Sequence, residues 1–427
     1  MKKIITIVLV AFALSLLNIN CSNQKKQLTI WIGGSVDEVN FWQSLINDYE
    51  KQTGTKIILV RQPTSTDQRR QSLVIPLESK LPDPDLFLMD IVWINQFIKS
   101  GWLQPLDNYI NKSSFSLKPF FPNIMKQVDI YKNTTYAIPV FMDVGLLYYR
   151  KDLLEQNGYD SPPKEWKQLV EESEKIQNEQ RKTNKNFSGF VWQGAQYEGL
   201  ICDYLEFTTS FGGYLMQGDS ITINNQKNLK GLQFMRDLIQ KYKISPPNTY
   251  TEMKEEEVRR LFQNGGALFE RNWSYAWALH QSEDSKVKGK IGVTVLPHYD
   301  NDSSTSALGG WHIGLSKYSD MKNEAWKFIQ YVTSYKVQEK MFEQIGWNPA
   351  REDVYKDSTL LSKYPRLKTL KEALKISKAR PTIPYYPQVS QIIQRYVNNC
   401  LAGKISPQDA LNKAQSEIDE LMKIYEK

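Results

Sequence analysis

The sequence predicts a two-lobed α/β protein with a ligand cleft between the lobes. Three observations lead to this prediction: the chain length, a strand–helix–strand pattern near the N-terminus, and segments where the chain is expected to pass between lobes. After an N-terminal leader, roughly 400 of the 427 residues remain, more than a single hydrophobic core usually organises. The apolar and charged fractions, 41% and 24%, are ordinary for a globular protein, so neither a fibrous nor a disordered chain is indicated.

The first lobe begins with a βαβ unit. Residues 28–32 alternate and are rich in strand formers, and apolar side chains then recur at helical spacing until Gly54. The next strand is predicted at residues 56–60, which implies a parallel sheet with a right-handed crossover. A third strand is predicted at residues 85–89, after a turn rich in proline and aspartate.

Three passages between the lobes follow from the rest of the pattern. Residues 136–144 are expected to lead into the second lobe, residues 291–296 to return to the first, and the chain then crosses once more into a helical C-terminal part. We therefore expect these boundaries: lobe one at 27–136 and 297–333, and lobe two at 137–296 and 334–427.

The N-terminus has the plan of a secretory signal. Two lysines precede an apolar run that ends at Leu17, and this run is shorter than the about 20 residues of a membrane-spanning helix. Cys21 follows shortly after, which resembles the lipobox of bacterial lipoproteins, in which the thiol is lipidated and becomes the first residue. We expect a signal peptide at residues 1–20, with a lipidated cysteine and a polar tether at residues 21–26.

An ordinary cleaved signal with a chance cysteine is the alternative to lipidation. Asn20 stands where the lipobox usually has Gly or Ala, and Asn18 stands where it usually has Leu.

Charge and cysteine content exclude several classes of partner and cofactor. The formal charge is +7 without a long basic block, so we do not expect nucleic acid as a partner. Cys202 and Cys400 are expected to be buried free thiols, although pairing in an oxidising compartment stays open. No spacing of ligand residues suggests a zinc site, and we expect neither a metal nor a cofactor.

Signals for an enzyme are weak. His280, His298 and His312 are the only histidines, and the sequence contains no nucleophile elbow, phosphate-binding loop or dinucleotide fingerprint. Glycoside hydrolysis needs only two carboxylates about 5–9.5 Å apart. A secreted glycoside hydrolase that uses such a pair stays as an alternative.

Polar residues cluster where the first three strands end. Glu38 follows the first strand, Arg69 follows the second, and Asp90 ends the third. Open parallel sheets bind ligands at these carboxyl ends, and carboxylates are strong acceptors for hydroxyl groups. Each residue taken singly is also compatible with a helix cap or a surface charge.

Several aromatic residues stand beside glycines or in loops. Trp311 follows Gly309 and Gly310, and Trp273 and Tyr275 lie just beyond a predicted strand. Aromatic faces with a few fixed polar groups are typical of a ligand site. For any single tryptophan here, a role in the core is the alternative.

The segment 136–154 combines a proline, Phe141, Asp143 and a glycine before a strand-like stretch, and it is part of a wider likeness. The sequence resembles solute-binding proteins of ABC-type sugar importers over about residues 28–380. Its landmarks include residues 61–72, 83–90, 97–107, 262–277 and 308–311, and the string VWQGAQYEG at 191–199 resembles the trehalose/maltose-binding branch. The resemblance implies a periplasmic-binding-protein-like fold with three interlobe crossovers.

The resemblance also implies a set of sugar contacts. Carried over position by position, they are Glu38, Arg69, Asp90, Phe141, Asp143, Trp273, Tyr275, Gly310, Trp311 and Arg380. Phe141 stands where relatives often carry Tyr, and His312 stands where Gln is frequent, so the resemblance leaves the exact sugar undetermined.

The function implied is that of a lipid-anchored binding protein outside the cytoplasm, periplasmic or on the cell surface. It would bind a disaccharide such as trehalose or maltose by hinge closure and deliver it to the membrane permease of an ABC transporter, as a monomer. Besides the secreted hydrolase, a sugar sensor for a membrane signalling partner is a second alternative to this function.

Overall fold

The larger of two sheets forms the first lobe. The structure, a computed structural model, describes residues 27–218, 220–300 and 303–425; the predicted signal peptide and Cys21 lie outside these ranges. From one edge to the other, the strands are β14 (Asn348–Pro349), β6 (Ala137–Val144), β13 (Ser306–Leu315), β3 (Leu86–Asp90), β1 (Leu28–Ile32) and β2 (Ile57–Arg61), with β15 (Ser377–Ala379) paired to β13. Strands β1, β2 and β3 are parallel, as predicted, whereas β13 runs antiparallel to both β3 and β6.

The second lobe has a smaller sheet. Its strands, in spatial order, are β12 (Ile291–Thr294), β7 (Leu146–Arg150), β11 (Ala267–Asn272) and β8 (Ser188–Val191). Two short ribbons complete the strands of the described chain, β4 (Ile130–Tyr131) with β5 (Thr134–Thr135) and β9 (Met216–Gln217) with β10 (Ser220–Ile221).

Helices cover the sheets of both lobes. In lobe one they are α1 (Val36–Thr53), α2 (Thr66–Glu78), α3 (Ile94–Lys99), α4 (Asp107–Asn111), α5 (Pro122–Val128), α12 (Lys322–Val332), α13 (Tyr335–Ile345), α14 (Ser358–Lys363) and α15 (Arg366–Lys375), with a 3₁₀ turn at Val354–Lys356. In lobe two they are α6 (Lys151–Gln156), α7 (Trp166–Gln180), α8 (Glu198–Ser210), α9 (Gln226–Gln240), α10 (Glu255–Gln263), α11 (Ala276–His280), α16 (Tyr386–Leu401) and α17 (Pro407–Tyr425).

Helix α1 shows how local sequence sets an element that borders the cleft. The Oγ of Ser35 accepts a hydrogen bond from the Glu38 N–H at 3.3 Å, and the Glu38 carboxylate accepts one from the Ser35 N–H at 2.7 Å, which is a capping box. Gly54 ends the helix in a left-handed conformation. Five apolar or aromatic side chains from Phe41 to Tyr49 are buried against lobe one, each contributing about 1.5–3 kcal/mol.

The chain passes between the lobes three times within the described residues, as predicted. The first crossover is at Gly145, the second lies between Thr294 and Ser306, and the third lies between Ala379 and Tyr386.

The structure assigns several segments to a different lobe from the one expected. Residues 137–144 were expected in lobe two, but β6 pairs with β13 in the larger sheet of lobe one. Strand β12 pairs with β7 in lobe two, inside the predicted boundary 137–296, and the chain returns to lobe one after it. Residues 334–379 include β14 and β15, which also belong to the lobe-one sheet. Sheet membership depends on pairing between distant strands, which the local pattern does not reveal.

Candidate functional site

A cavity of about 530 Å³ lies between the lobes, a volume within the range of small-molecule sites. All ten residues that the sequence singled out as contacts line this cavity. Glu38, Arg69, Asp90 and Trp311 come from lobe one, whereas Trp273 follows the lobe-two strand β11. The structure therefore brings together side chains that are up to about 340 positions apart in sequence, as open α/β folds do at strand ends.

The register of the larger sheet sets one wall of the cavity. Trp311 on β13 lies opposite Asp90 on β3 and opposite Phe141 on β6. The preceding residue, Gly310, has φ +148°, and a Cβ there would come within 2.9 Å of the Phe141 carbonyl oxygen. A glycine at position 310 thus allows β13 to pass close to β6 beside the cavity.

The Trp311 indole is held by an arginine and a second tryptophan. The Arg69 guanidinium carbon lies 4.2 Å from the centre of the Trp311 ring, and Trp93 meets the ring edge-on at 5.4 Å. Arg69 also donates to the carbonyl oxygens of Pro63 and Thr64 at 3.1 and 3.2 Å. Burial lowers the pKa of Arg69 to about 10, so the guanidinium is charged at neutral pH and makes a cation–π contact.

Asp143 lies at the end of β6, beside the first crossover. Its Oδ1 accepts hydrogen bonds from the N–H and the hydroxyl of Ser274, at 3.0 and 2.8 Å, and from the Val144 N–H at 3.0 Å. Burial raises the pKa of the Asp143 carboxyl to about 7, against the opposing effect of these hydrogen bonds and of Arg271. Asp143 therefore links the lobes and titrates near neutral pH.

Two aromatic residues of lobe two face this wall. Trp273 lines the cavity, and the Arg271 guanidinium carbon lies 4.1 Å from the centre of its ring. The Tyr275 hydroxyl donates to Glu256 at 2.9 Å. Burial, together with Glu256, raises the pKa of Tyr275 well above its ordinary value, so the hydroxyl stays protonated and remains a donor.

Trp347 is part of the site and was missed by the sequence analysis. Its ring stacks on Phe141 with centroids 4.1 Å apart and an angle of 8° between the planes. Its indole N–H donates to Glu38 at 3.1 Å, and burial raises the pKa of that carboxyl. The only sequence signal was an aromatic residue directly after Gly346, which ends a helix.

Arg380 joins the two lobes by ion pairs. It donates to Asp90 of lobe one at 3.0 Å and to Glu198 of lobe two at 2.7 Å, and it is only 2% exposed. Glu198 also accepts from the Tyr386 hydroxyl at 2.6 Å. Glu198 lies within the string at 191–199 that resembles the trehalose/maltose-binding branch, but this resemblance did not by itself predict it as a site residue.

His312 does not reach the cavity. It is fully buried, and its Nδ1 lies 2.6 Å from the Asp129 carboxylate. Neighbouring residues of a strand point to opposite faces, so Trp311 faces the cavity while His312 faces the core. The presence of His at position 312, where relatives often carry Gln, therefore does not alter the lining of the site.

The cysteines that the structure describes are unpaired. Cys202 and Cys400 are both buried and free, as predicted. Across residues 27–218, 220–300 and 303–425, no helix combines the length and apolar character needed to cross a bilayer.

Comparisons with known proteins agree with this architecture. Residues 33–339 match the family described as bacterial extracellular solute-binding proteins. A probable ABC transporter-binding protein of Deinococcus radiodurans is 36% identical over 375 residues, covering 87% of each chain. Maltose-bound MalE3 of T. maritima superposes with a TM-score of 0.87 at 36% identity, covering 92% of this chain and 99% of that one.

A second solved structure has a different bound sugar. The ABC transporter solute-binding protein of Thermotoga lettingae, bound with α-D-tagatose, has a TM-score of 0.84 at 29% identity over 92% of this chain and 99% of that one. These comparisons confirm the predicted two-lobed fold and the predicted family resemblance. The family and these relatives are binding proteins of ABC transporters, so the chain is not an enzyme and the glycoside hydrolase alternative is wrong. The chain belongs to the family of bacterial extracellular solute-binding proteins.

Proposed function

We propose that this protein is the sugar-binding component of an ABC importer and that its ligand is an α-linked glucose disaccharide such as maltose or trehalose. The observation that carries the proposal is the lining of the interlobe cavity, where aromatic rings and buried carboxylates lie together. Pyranose rings have apolar C–H faces that stack on aromatic side chains, and their hydroxyl edges need fixed hydrogen-bond partners. Trp311 and Trp273 offer faces from opposite lobes, and Asp143 offers a buried acceptor between them.

The proposed ligand contacts are the ten residues derived from the sequence. They are Glu38, Arg69, Asp90, Phe141, Asp143, Trp273, Tyr275, Gly310, Trp311 and Arg380, and their shared lining of one cavity supports this assignment. Maltose in the 36% identical MalE3 of T. maritima supports a disaccharide.

A longer oligosaccharide is the second candidate ligand. An adjoining cavity of about 810 Å³ shares Glu38 and Tyr275 with the first, and it extends between α1 and α10. A sugar chain that occupied both cavities would gain contacts that a disaccharide lacks. Affinity that increases from maltose to maltotriose would favour this candidate.

Hinge closure is the proposed binding mechanism. Because the cavity is lined from both lobes, a ligand makes its full set of contacts only when the lobes are together, and it therefore favours the closed state. Small-angle scattering should show a smaller radius of gyration after saturation with the sugar.

We further propose that the protein is exported, anchored by a lipid on Cys21, and delivers sugar as a monomer to a membrane permease. The N-terminal sequence pattern supports the anchor, and the family supports the permease. A sensor that signals to a membrane partner is the alternative. Uptake of radiolabelled maltose by cells with and without the gene separates the two, since loss of a sensor leaves transport by an already expressed permease intact.

A further inference from the structure

A buried cluster of charged residues lies directly behind Trp273. Arg271 is 1% exposed, and its guanidinium covers one face of the Trp273 ring at 4.1 Å. The same guanidinium donates to Glu206 through two nitrogens at 2.6 and 2.7 Å and lies 2.9 Å from Asp203. Because these groups are shielded from water, none of them can exchange its partner for solvent. The position of the indole is thereby tied to the position of Glu206.

Glu206 also contacts the backbone of two crossovers. Its Oε1 accepts a hydrogen bond from the Ala307 N–H at 2.9 Å, where β13 begins after the second crossover. The Ser306 hydroxyl donates to the carbonyl oxygen of Gly145, the residue of the first crossover, at 2.8 Å. One carboxylate in lobe two therefore holds the point at which the chain re-enters lobe one, and that point is bonded to the first crossover.

Gly145, at the first crossover, lies directly against the ion pair of Glu206 and Arg271. A Cβ at this position would overlap Oε1 of Glu206 and would lie 2.6 Å from a terminal nitrogen of Arg271. A side chain is thus excluded by the ion pair itself. The glycine allows the backbone to pass against the pair, at the place where closing the lobes must change backbone torsion angles.

We propose that Glu206 and Arg271 form a positioning pair that couples ligand stacking on Trp273 to closure at the first two crossovers. The pair does not line the cavity, so it acts through Trp273 and through the backbone at Gly145 and Ala307. The proposal rests on the proposed function, because Trp273 must contact the ligand for the coupling to affect binding. Displacing Glu206 is expected to alter both the interlobe arrangement and the affinity.

Two variants test the coupling, and each has a matched control. Gly145→Ala pushes the Glu206 carboxylate away, and Gly189→Ala inserts the same methyl group at a buried glycine of β8 in lobe two. Glu206→Gln removes the charge with little change in shape, and Glu172→Gln makes the same substitution at a buried glutamate of α7 in the same lobe. Each protein is titrated with maltose and examined by small-angle scattering with and without saturating maltose.

We expect Gly145→Ala and Glu206→Gln to raise the Kd for maltose at least fivefold and to halve the compaction on saturation. Both controls should stay within twofold of the wild-type Kd and keep the full compaction. If the two test variants lose melting temperature but keep wild-type affinity and compaction, the pair is only structural and the proposal is wrong. If Gly145→Ala does not fold, Glu206→Gln alone decides by the same criteria.

Failure of the ligand assignment is distinguishable from failure of the coupling. If wild-type protein binds neither maltose nor trehalose, the proposed ligand is wrong, and the scattering of the unliganded proteins then decides the coupling. A changed radius of gyration in Gly145→Ala and Glu206→Gln, but not in the controls, supports the coupling. Unchanged values in all four variants overturn it.

Discussion

Asp143 of lobe one and Ser274 of lobe two are joined by two hydrogen bonds, since the N–H and the hydroxyl of Ser274 both donate to Asp143 Oδ1, at 3.0 and 2.8 Å. This contact lies beside the first crossover, and Asp143 also lines the cavity. A ligand hydroxyl that donates to Asp143 would add to an acceptor already aligned by the other lobe. Such charge-assisted hydrogen bonds contribute about 1.5–3 kcal/mol each.

Sugar affinity should therefore depend on pH. Burial raises the pKa of Asp143 to about 7, and hydroxyl donors stabilise the ionised form. If the ionised form is the one that binds, the Kd should be about tenfold weaker at pH 6 than at pH 8. Asp143→Asn should bind weakly at both values and lose the dependence. Calorimetry at several pH values measures this, and equal slopes for wild type and Asp143→Asn would contradict the prediction.

The same raised pKa should make stability without ligand fall as pH rises. A carboxyl group with a folded-state pKa above its unfolded value contributes stability that is fully present below the unfolded value and is lost as pH rises through about 7. Urea unfolding of wild type and Asp143→Asn at pH 5 and pH 8 should therefore show a smaller loss in the variant. An identical loss in both proteins would assign the pH dependence to other groups.

Trp311→Ala should weaken sugar binding. Stacking contributes about 0.5–1.5 kcal/mol beyond the buried area, which corresponds to roughly 2- to 12-fold in Kd. Trp277→Ala is the matched control, because Trp277 is also partly buried but does not line the cavity. A sugar titration and a sugar-free melting curve separate the two roles. Wild-type affinity with a lowered melting temperature in Trp311→Ala would assign that indole to the fold.

Arg380→Gln should destabilise the fold and weaken binding together. The substitution leaves Asp90 and Glu198 without their shared cation, and breaking a buried pair costs about 3–5 kcal/mol in the free energy of unfolding. Arg395→Gln, which removes a partly exposed pair with Glu417, should cost only about 0–1 kcal/mol. Denaturant unfolding compares the two variants, and similar losses in both would show that the interlobe bridge has no special weight.

Cys21→Ser should release the protein from the membrane fraction. The prediction follows from the lipobox-like position of Cys21 after the apolar run, since the lipid needs the thiol. Fractionation of cells that express each protein tests it. If wild type and variant are equally soluble, the protein is not anchored through Cys21, and the unusual Asn18 and Asn20 explain why.

The sequence was sufficient to predict the fold class and ten of the residues that line the cavity. Strand ends in an open α/β sheet converge by topology, so Glu38, Asp90 and Arg69 could be placed together from their positions alone. Trp311 could be placed there because it follows two glycines in a segment shared with known sugar binders.

Long-range pairing could not be read from the sequence. Strand β6 is buried along its whole length, and such a strand fits either sheet until its partner is known. Trp347 was missed for a related reason, because its stacking partner Phe141 is about 200 positions away in the sequence. The burial of His312 could have been anticipated, since alternation along a strand opposes it to Trp311.

The most direct test of the account is a calorimetric titration of the purified mature protein with maltose, trehalose, maltotriose, tagatose and glucose, followed by analysis of the recovered sugar. We predict saturable one-site binding of maltose or trehalose that is at least tenfold tighter than that of glucose or tagatose, with the sugar recovered intact. Tighter binding of glucose or tagatose than of either disaccharide, or no binding of any of these sugars, would contradict the account.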